Sequence, residues 1–323
     1  MAPIDFRILA AFAATYILWG GTFLGVALAL PAIPPFLLMG ARSLTGGLML
    51  YAYARYSGTK TPARLWLIAG IAGLFLFVGC HGAMAYAQQR VPSGVTALFM
   101  ASIPFWMVIV GFLVPGRTPS RLISLALLVP GLAGVGFIAL DQIGGRSRPA
   151  LFDIALLLGS SLAWAVGSIF LERKSTRDVS AVTLSSMALI VGGLALIGIS
   201  AASGEMARFD PARLTASAVL GFGYLVLAGT IAAFGSYVWL LERVSPTLVA
   251  TYTFVNPVIA VLLGWAVLGE TFSLSTLTGG ALVVASIVGL LLFTPSKKPA
   301  AKGSEARDAM APAGLRIGQC SNI

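Results

Sequence analysis

Charge is what this sequence has least of. Only 10% of its 323 residues are Asp, Glu, Lys or Arg, against 58% apolar. A soluble domain carries about 25% charged residues, so this supply cannot cover a water-facing surface. Cysteine is nearly absent: Cys80 lies in an apolar run and Cys320 in a polar tail, which makes neither a disulfide framework nor a metal site. His81 is the only histidine. No nucleophile–base constellation, phosphate loop or metal-ligand spacing is present, so neither an enzyme nor a cofactor is expected. Period-two alternation is missing too, which favours helices over a barrel.

What is there is a series of continuous apolar runs: Ile8–Leu30, Pro34–Tyr53, Arg64–Ala85, Ser93–Val114, Arg121–Leu140, Leu151–Phe170, Ser180–Ala201, Ala216–Leu240, Pro246–Leu268 and Ser275–Phe293. Each is near the ~20 residues that a helix needs to cross a ~30 Å hydrocarbon core. The first run ends in Ala27-Leu28-Ala29, a sequence like a signal-peptidase site. It is longer than a signal core, however, and only Arg7 precedes it, offset by Asp5, so it is taken as a true span.

The basic residues are distributed unevenly. With the N-terminus in the cytoplasm, fifteen of the 21 Lys and Arg residues fall on that side, and Arg90, Arg146, Arg148, Arg208 and Arg213 on the other. The positive-inside rule then puts both termini in the cytoplasm and requires an even number of spans. The net charge of +10 is a topology signal, and nucleic acid is not needed to explain it.

The second half of the chain repeats the first. Arg90-Val91 and Pro104 correspond to Arg243-Val244 and Pro257; at the same spacing Gly116-Arg117-Thr118 meets Gly269-Glu270-Thr271. Earlier in the copies Trp19 falls opposite Trp164, and Gly46-Gly47-Leu48 opposite Gly192-Gly193-Leu194. The expected division is residues 1–145, 146–293 and a polar cytoplasmic tail 294–323. If each copy crosses five times, the second is inserted upside down. Such inverted repeats build alternating-access pathways, because one fold then supplies both gates. The expectation is an all-α integral membrane protein of ten spans that moves a small molecule through surrounding lipid, as a monomer.

Ionisable groups inside the membrane restrict the solute. None of the eleven acidic residues lies in the middle of a span. That disfavours a proton-coupled mechanism built on a mid-membrane carboxylate, and a site for a permanent cation. Arg42 lies near the midplane of the second span, where it serves a substrate carboxylate or a gate, or else is a structural arginine; its counterpart is Ala188. One arginine is too few for a phosphorylated substrate. His81, near Cys80, Gly82 and Met84, is the titratable candidate for a cavity wall, or a satisfied structural histidine.

Pro104 and Pro257 interrupt the fourth and ninth spans, and each is expected to kink its helix and free a carbonyl. Phe99, Ile103 and Trp106 then share a face, matched by Tyr252, Asn256 and Ile259. Aromatic surface with an amide and a phenol suits a neutral, zwitterionic or aromatic solute, although such rings also simply fill helix interfaces. Trp19 and Trp164 are too deep for an interfacial belt. Ser160, Ser161, Tyr237 and Trp239 are supported by polarity at depth alone.

Trp19-Gly20-Gly21, Arg42 after a proline-led span, Ser93–Pro104, and Leu268-Gly269-Glu270 closing the ninth span together resemble the EamA type of drug/metabolite transporter. The resemblance covers both copies, with Gly116-Arg117 departing from the acidic form in the first. It implies ten helices in two inverted halves, in a bacterial inner membrane, around a cavity between the first, third, fourth, sixth, eighth and ninth spans. His81 and Met84 are also similar to the pattern of the aromatic amino acid exporters. That likeness would place His81, Met84, Trp164 and Pro257 near the substrate. The expected activity is export of amino acids or similar small neutral metabolites, with export of lipophilic drugs as the alternative.

Overall fold

Proline and hydroxyl residues set where the helices begin. In a computed structural model of the chain, Pro34, Pro62 and Pro92 hold extended backbone just before three helices. Ser180 and Thr215 open two others, their side chains accepting from the amides of Thr183 and Ala218. The structure describes residues 6–59, 61–113, 121–144, 151–174, 180–241, 243–244, 249 and 251–293.

Among the described residues the long helical segments are α1 (Phe6–Ala29), α2 (Pro35–Tyr56), α3 (Ala63–Gln88), α4 (Ser93–Leu113) and α5 (Arg121–Gly144) in the first copy. The second copy supplies α6 (Leu151–Lys174), α7 (Ala181–Ala202), α8 (Ala216–Gly223, Tyr224–Ala232 and Ala233–Leu241), α9 (Tyr252–Leu268) and α10 (Leu274–Phe293). These ten segments correspond to the ten expected runs, and six of them are long and apolar enough to cross a membrane.

Equivalent helices pack against each other, running in opposite directions. In α2 and α7, a Cβ on Gly47 would approach the Ile190 amide nitrogen at 3.0 Å, and one on Gly193 the Leu44 nitrogen at 2.7 Å. These are the same contact made twice, and glycine is required because the backbones touch. Pairings of Leu127 with Gly289 and Ile138 with Gly279 run antiparallel along α5 and α10. Gly94 at the start of α4 meets Val261 in the far half of α9. The second copy is therefore inverted relative to the first.

The cross-copy contacts also build the core. α1 packs on α8 and α9, α9 on α4, α4 on α6, and α6 on α3, so the six helices expected around a cavity are neighbours in a ring. α2 closes the remaining gap by packing on both α3 and α8.

Three local features differ from the expectation. α3 and α8 each contain a π-helical stretch, Leu74–Gly82 and Tyr224–Ala232, in corresponding positions. The break in α4 falls at Ala101-Ser102, ahead of Pro104, which sits in the first turn of Ile103–Leu113 where its missing N–H costs nothing. Pro104 is thus a helix starter, and the break divides Phe99 from Ile103 and Trp106, which do not form the single helical face expected of them. Pro257, by contrast, lies inside the helix Tyr252–Leu268, which continues through it.

Candidate functional site

The two π stretches lie on α3 and α8, and α2 packs against both. A π turn widens the helix and often marks a functional position. In α8, Thr230 Oγ1 donates to Leu225 O at 2.9 Å, the five-residue reach of a π turn. The same oxygen accepts from Arg42 Nε at 3.2 Å. Arg42 is only 7% exposed, so the guanidinium predicted at mid-depth is buried between α2 and α8.

Trp19 anchors one aromatic cluster. Its Nε1 donates to Gly229 O at 2.9 Å, and its ring lies 4.8 Å from Tyr252 and 5.2 Å from Tyr237, centroid to centroid. Tyr237 and Tyr252 meet edge to face at 5.9 Å. Trp164 anchors the other cluster, its ring 5.5 Å from His81, which in turn meets Phe77 at 5.3 Å. The structure therefore brings Trp19 to Tyr252 and Tyr237, and Trp164 to His81; the Trp19–Tyr237 and Trp164–His81 pairs lie on symmetry-related helices. The Nδ1 of His81 is buried and has no hydrogen-bond partner among the described residues.

Other predicted residues stand apart from these rings. Phe99 is fully buried and Met84 is 5% exposed, both within the apolar core cluster. Trp106 is half-buried on α4 beyond the break. Asn256, with its amide oriented to satisfy its donors, gives Nδ2 to Tyr252 O at 3.2 Å and Tyr16 O at 3.1 Å, tying α9 to α1 just before Pro257. A separate crevice of about 620 Å³ lies between α3 and α6, lined by Phe75, Val78, Gly79, Phe152, Gly159 and Ala163. Of the sequence candidates only Ser160 borders it.

At the end of the molecule where α2, α4 and α6 begin, acids of the second copy clamp the first. Asp153, fully buried, accepts two bonds from Arg90 Nε at 2.9 and 3.1 Å and one from Nη2 at 2.5 Å. These bonds hold the Arg90 guanidinium above its ordinary range. Glu205 accepts from the amides of Phe36 and Leu37 at the start of α2, at 3.0 and 3.2 Å. Glu270 accepts from the amides of Ser93 and Gly94 at the start of α4, at 2.6 and 3.0 Å. Helix N-termini carry unsatisfied amides and partial positive charge, so a carboxylate there is favoured twice over. Gly269, at φ +67°, ends α9 in the left-handed conformation and turns Glu270 back toward α4.

The signal for these contacts is in the sequence only as the Leu268-Gly269-Glu270 motif. Nothing local marks Asp153, Glu205 or Thr230 as partners of residues more than 60 positions away.

The fold and site define a helical, multi-span membrane protein built as an inverted repeat around a weakly charged centre. Residues 6–140 and 151–292 each match the EamA-like transporter family, and the chain belongs to that family. It is 34% identical over 293 residues to the uncharacterized inner membrane transporter YedA of Escherichia coli (strain K12), covering 89% of this chain and 92% of that protein. It is 26% identical to the probable amino-acid metabolite efflux pump of Salmonella typhimurium (strain LT2), covering 84% and 90%. A solved crystal structure is similar with a TM-score of 0.60 at 22% identity, over 89% of this chain and 98% of that one, a likeness of fold alone.

Proposed function

We propose that this protein is a secondary transporter that exports amino acids or similar small neutral metabolites across the bacterial cytoplasmic membrane. The observation that carries the reading is the run of six helices closed by α2, in which Trp19 and Trp164 anchor aromatic clusters on equivalent helices and no acidic residue lies in the middle of a span. Family membership and the likeness to the Salmonella probable amino-acid metabolite efflux pump support it. Rocking of the two inverted halves, 1–145 and 146–293, opens the centre to one side at a time. Both termini lie in the cytoplasm on the distribution of Lys and Arg, so the Arg90–Asp153 end faces outward.

In this reading Trp19, Tyr252, His81 and Trp164 line the solute's path, with Met84 packed in the core behind His81. Phe99, Trp106, Asn256, Pro257 and Pro104 shape it from behind. Counterflow of labelled phenylalanine or threonine in proteoliposomes, without efflux of lipophilic dye, is the expected result. Dye efflux without amino acid counterflow would instead establish a drug exporter. His81→Ala is expected to lower flux with expression intact; unchanged flux removes His81 from the path.

A further inference from the structure

Arg42 is the only charged side chain among the described residues that lies deep within the ring, and its hydrogen bonding is incomplete. A guanidinium carries five N–H donors in a rigid plane. Nε goes to Thr230, and Nη1 lies 3.8 Å from the Met39 sulfur, a poor acceptor. No oxygen among the described residues accepts from either Nη atom, and no carboxylate among them lies within ion-pair distance. Leaving a buried cation without a counter-charge is costly, so this edge calls for an anion.

The direction of that edge is fixed. Thr230 is held by Leu225 O and fixes Nε, while Nη2 lies 3.5 Å from where a Cβ on Gly229 would stand. Gly229 is also the residue whose carbonyl receives Trp19 Nε1. Arg42 thus sits against Gly229, the residue that also holds Trp19, whose ring meets Tyr237 and Tyr252. Ala188 occupies the equivalent position in the second copy, so the molecule has one such site.

We propose that Arg42 is the anchor for the carboxylate of the transported solute, with the tryptophan clusters receiving its apolar body. This rests on the transport reading and names its solute class: a monocarboxylate with an aromatic or apolar side. A planar carboxylate matches two parallel N–H donors. A phosphate dianion would leave charge unmatched by one guanidinium, and a cation would be repelled by it.

The test is thermal unfolding of the purified full-length protein in detergent with phenylalanine, phenylacetate, phenylalaninamide or phenethylamine, with chloride or gluconate as the salt. The two carboxylates are expected to bind at least about tenfold more tightly than the amide or amine, since charge-assisted bonds are worth about 1.5–3 kcal/mol. Arg42→Gln is expected to bring acid and amide within about twofold of each other. Thr230→Val, which keeps the charge but loosens its aim, should weaken acid binding and leave amide binding unchanged. Equal binding of acid and amide by the wild type, or no stabilisation by either carboxylate, overturns the proposal. So does an Arg42-dependent response to chloride alone, which would make this an inorganic anion site. Carboxylate-selective binding without counterflow sinks the transport reading and leaves the site standing; equal counterflow of phenylalanine and its amide does the reverse.

Discussion

The two ends of this molecule are built from the same fold, yet the acids that clamp one end have no acidic counterpart at the equivalent positions of the other. At the Arg90 end, Asp153, Glu205 and Glu270 of the second copy hold the Arg90 loop, α2 and α4 of the first. At the opposite end the equivalent positions are Ile8, Thr59 and Arg117. Ile8 stands to Asp153 as Trp19 does to Trp164, Thr59 to Glu205 as Gly46 to Gly192, and Arg117 to Glu270 as Arg90 to Arg243. None of these three is an acid, and Arg117 lies outside the described residues. Ring stacking follows the same division: Phe36 stacks on Tyr86, Tyr86 meets Phe152 edge-on, and Arg90 lies 4.8 Å above Tyr86. The equivalents of Phe36 and Phe152 are Val182 and Arg7, and the Arg243–Trp239 pair, at 4.1 Å, repeats the Arg90–Tyr86 contact. Inverted repeats give two gates of one shape. Here the residues at equivalent positions differ in charge, and whether that difference biases the two ends is open to direct test.

Removing the strongest clasp is the most direct way to break the comparison. Glu270→Ala strips two charge-assisted bonds from the start of α4 and should cost about 2–4 kcal/mol. Thermal unfolding, and thiol labelling of a cysteine placed at Ser93 in a background without Cys80 and Cys320, are expected to show lower stability and faster labelling. Labelling at the wild-type rate would mean that this carboxylate does not hold the end closed. Next in size is the Arg90–Asp153 pair. The Arg90 side chain is 43% exposed, so solvent screens the interaction, and a double-mutant cycle of Arg90→Gln with Asp153→Asn should give a coupling of about 1–2 kcal/mol. Additive effects would refute the pairing.

Arg117→Glu tests the comparison from the other side, by restoring an acid where the first copy lacks one. It is expected to slow counterflow a few-fold without lowering the unfolding temperature, because the two ends then compete to close. An unchanged or faster rate would show that the asymmetry has no bearing on gating. The smallest effect belongs to Tyr16→Phe. It removes the hydroxyl contact between Tyr16 and Thr251, which links α1 to the residue before α9 through neutral groups, and should cost about 0.5–1.5 kcal/mol. A loss as large as that of Glu270→Ala would erase the contrast.

Much of the architecture was legible because membrane helices announce themselves. Backbone groups in lipid must be bonded within their own helix, so each span is a long apolar run that can be counted. The repeat was legible because its landmarks, Trp19 with Trp164 and Arg90 with Arg243, are rare residue types at matched spacing. Trp19 and Tyr252 were singled out by depth and symmetry and do meet, as do Trp164 and His81. Phe99 was chosen on a helical spacing that the break at Ala101-Ser102 interrupts, and it is buried in the core. The π turns were not legible, since a one-residue widening of the hydrogen-bond ladder leaves no mark on composition. Tyr237 ranked low on polarity alone, yet its ring packs against both Trp19 and Tyr252.

Composition and periodicity alone determined that the chain is a membrane-embedded helical bundle, that it consists of two related halves, and that its interior holds almost no charge. Those properties are sums over local residues, and a linear reading captures sums. Only the tertiary structure decided which acid caps which helix, and that Arg42 and Trp19 meet the same turn of α8. These depend on directions and distances between helices far apart in the chain, where a shift of one ångström separates a bonded donor from an unmet one.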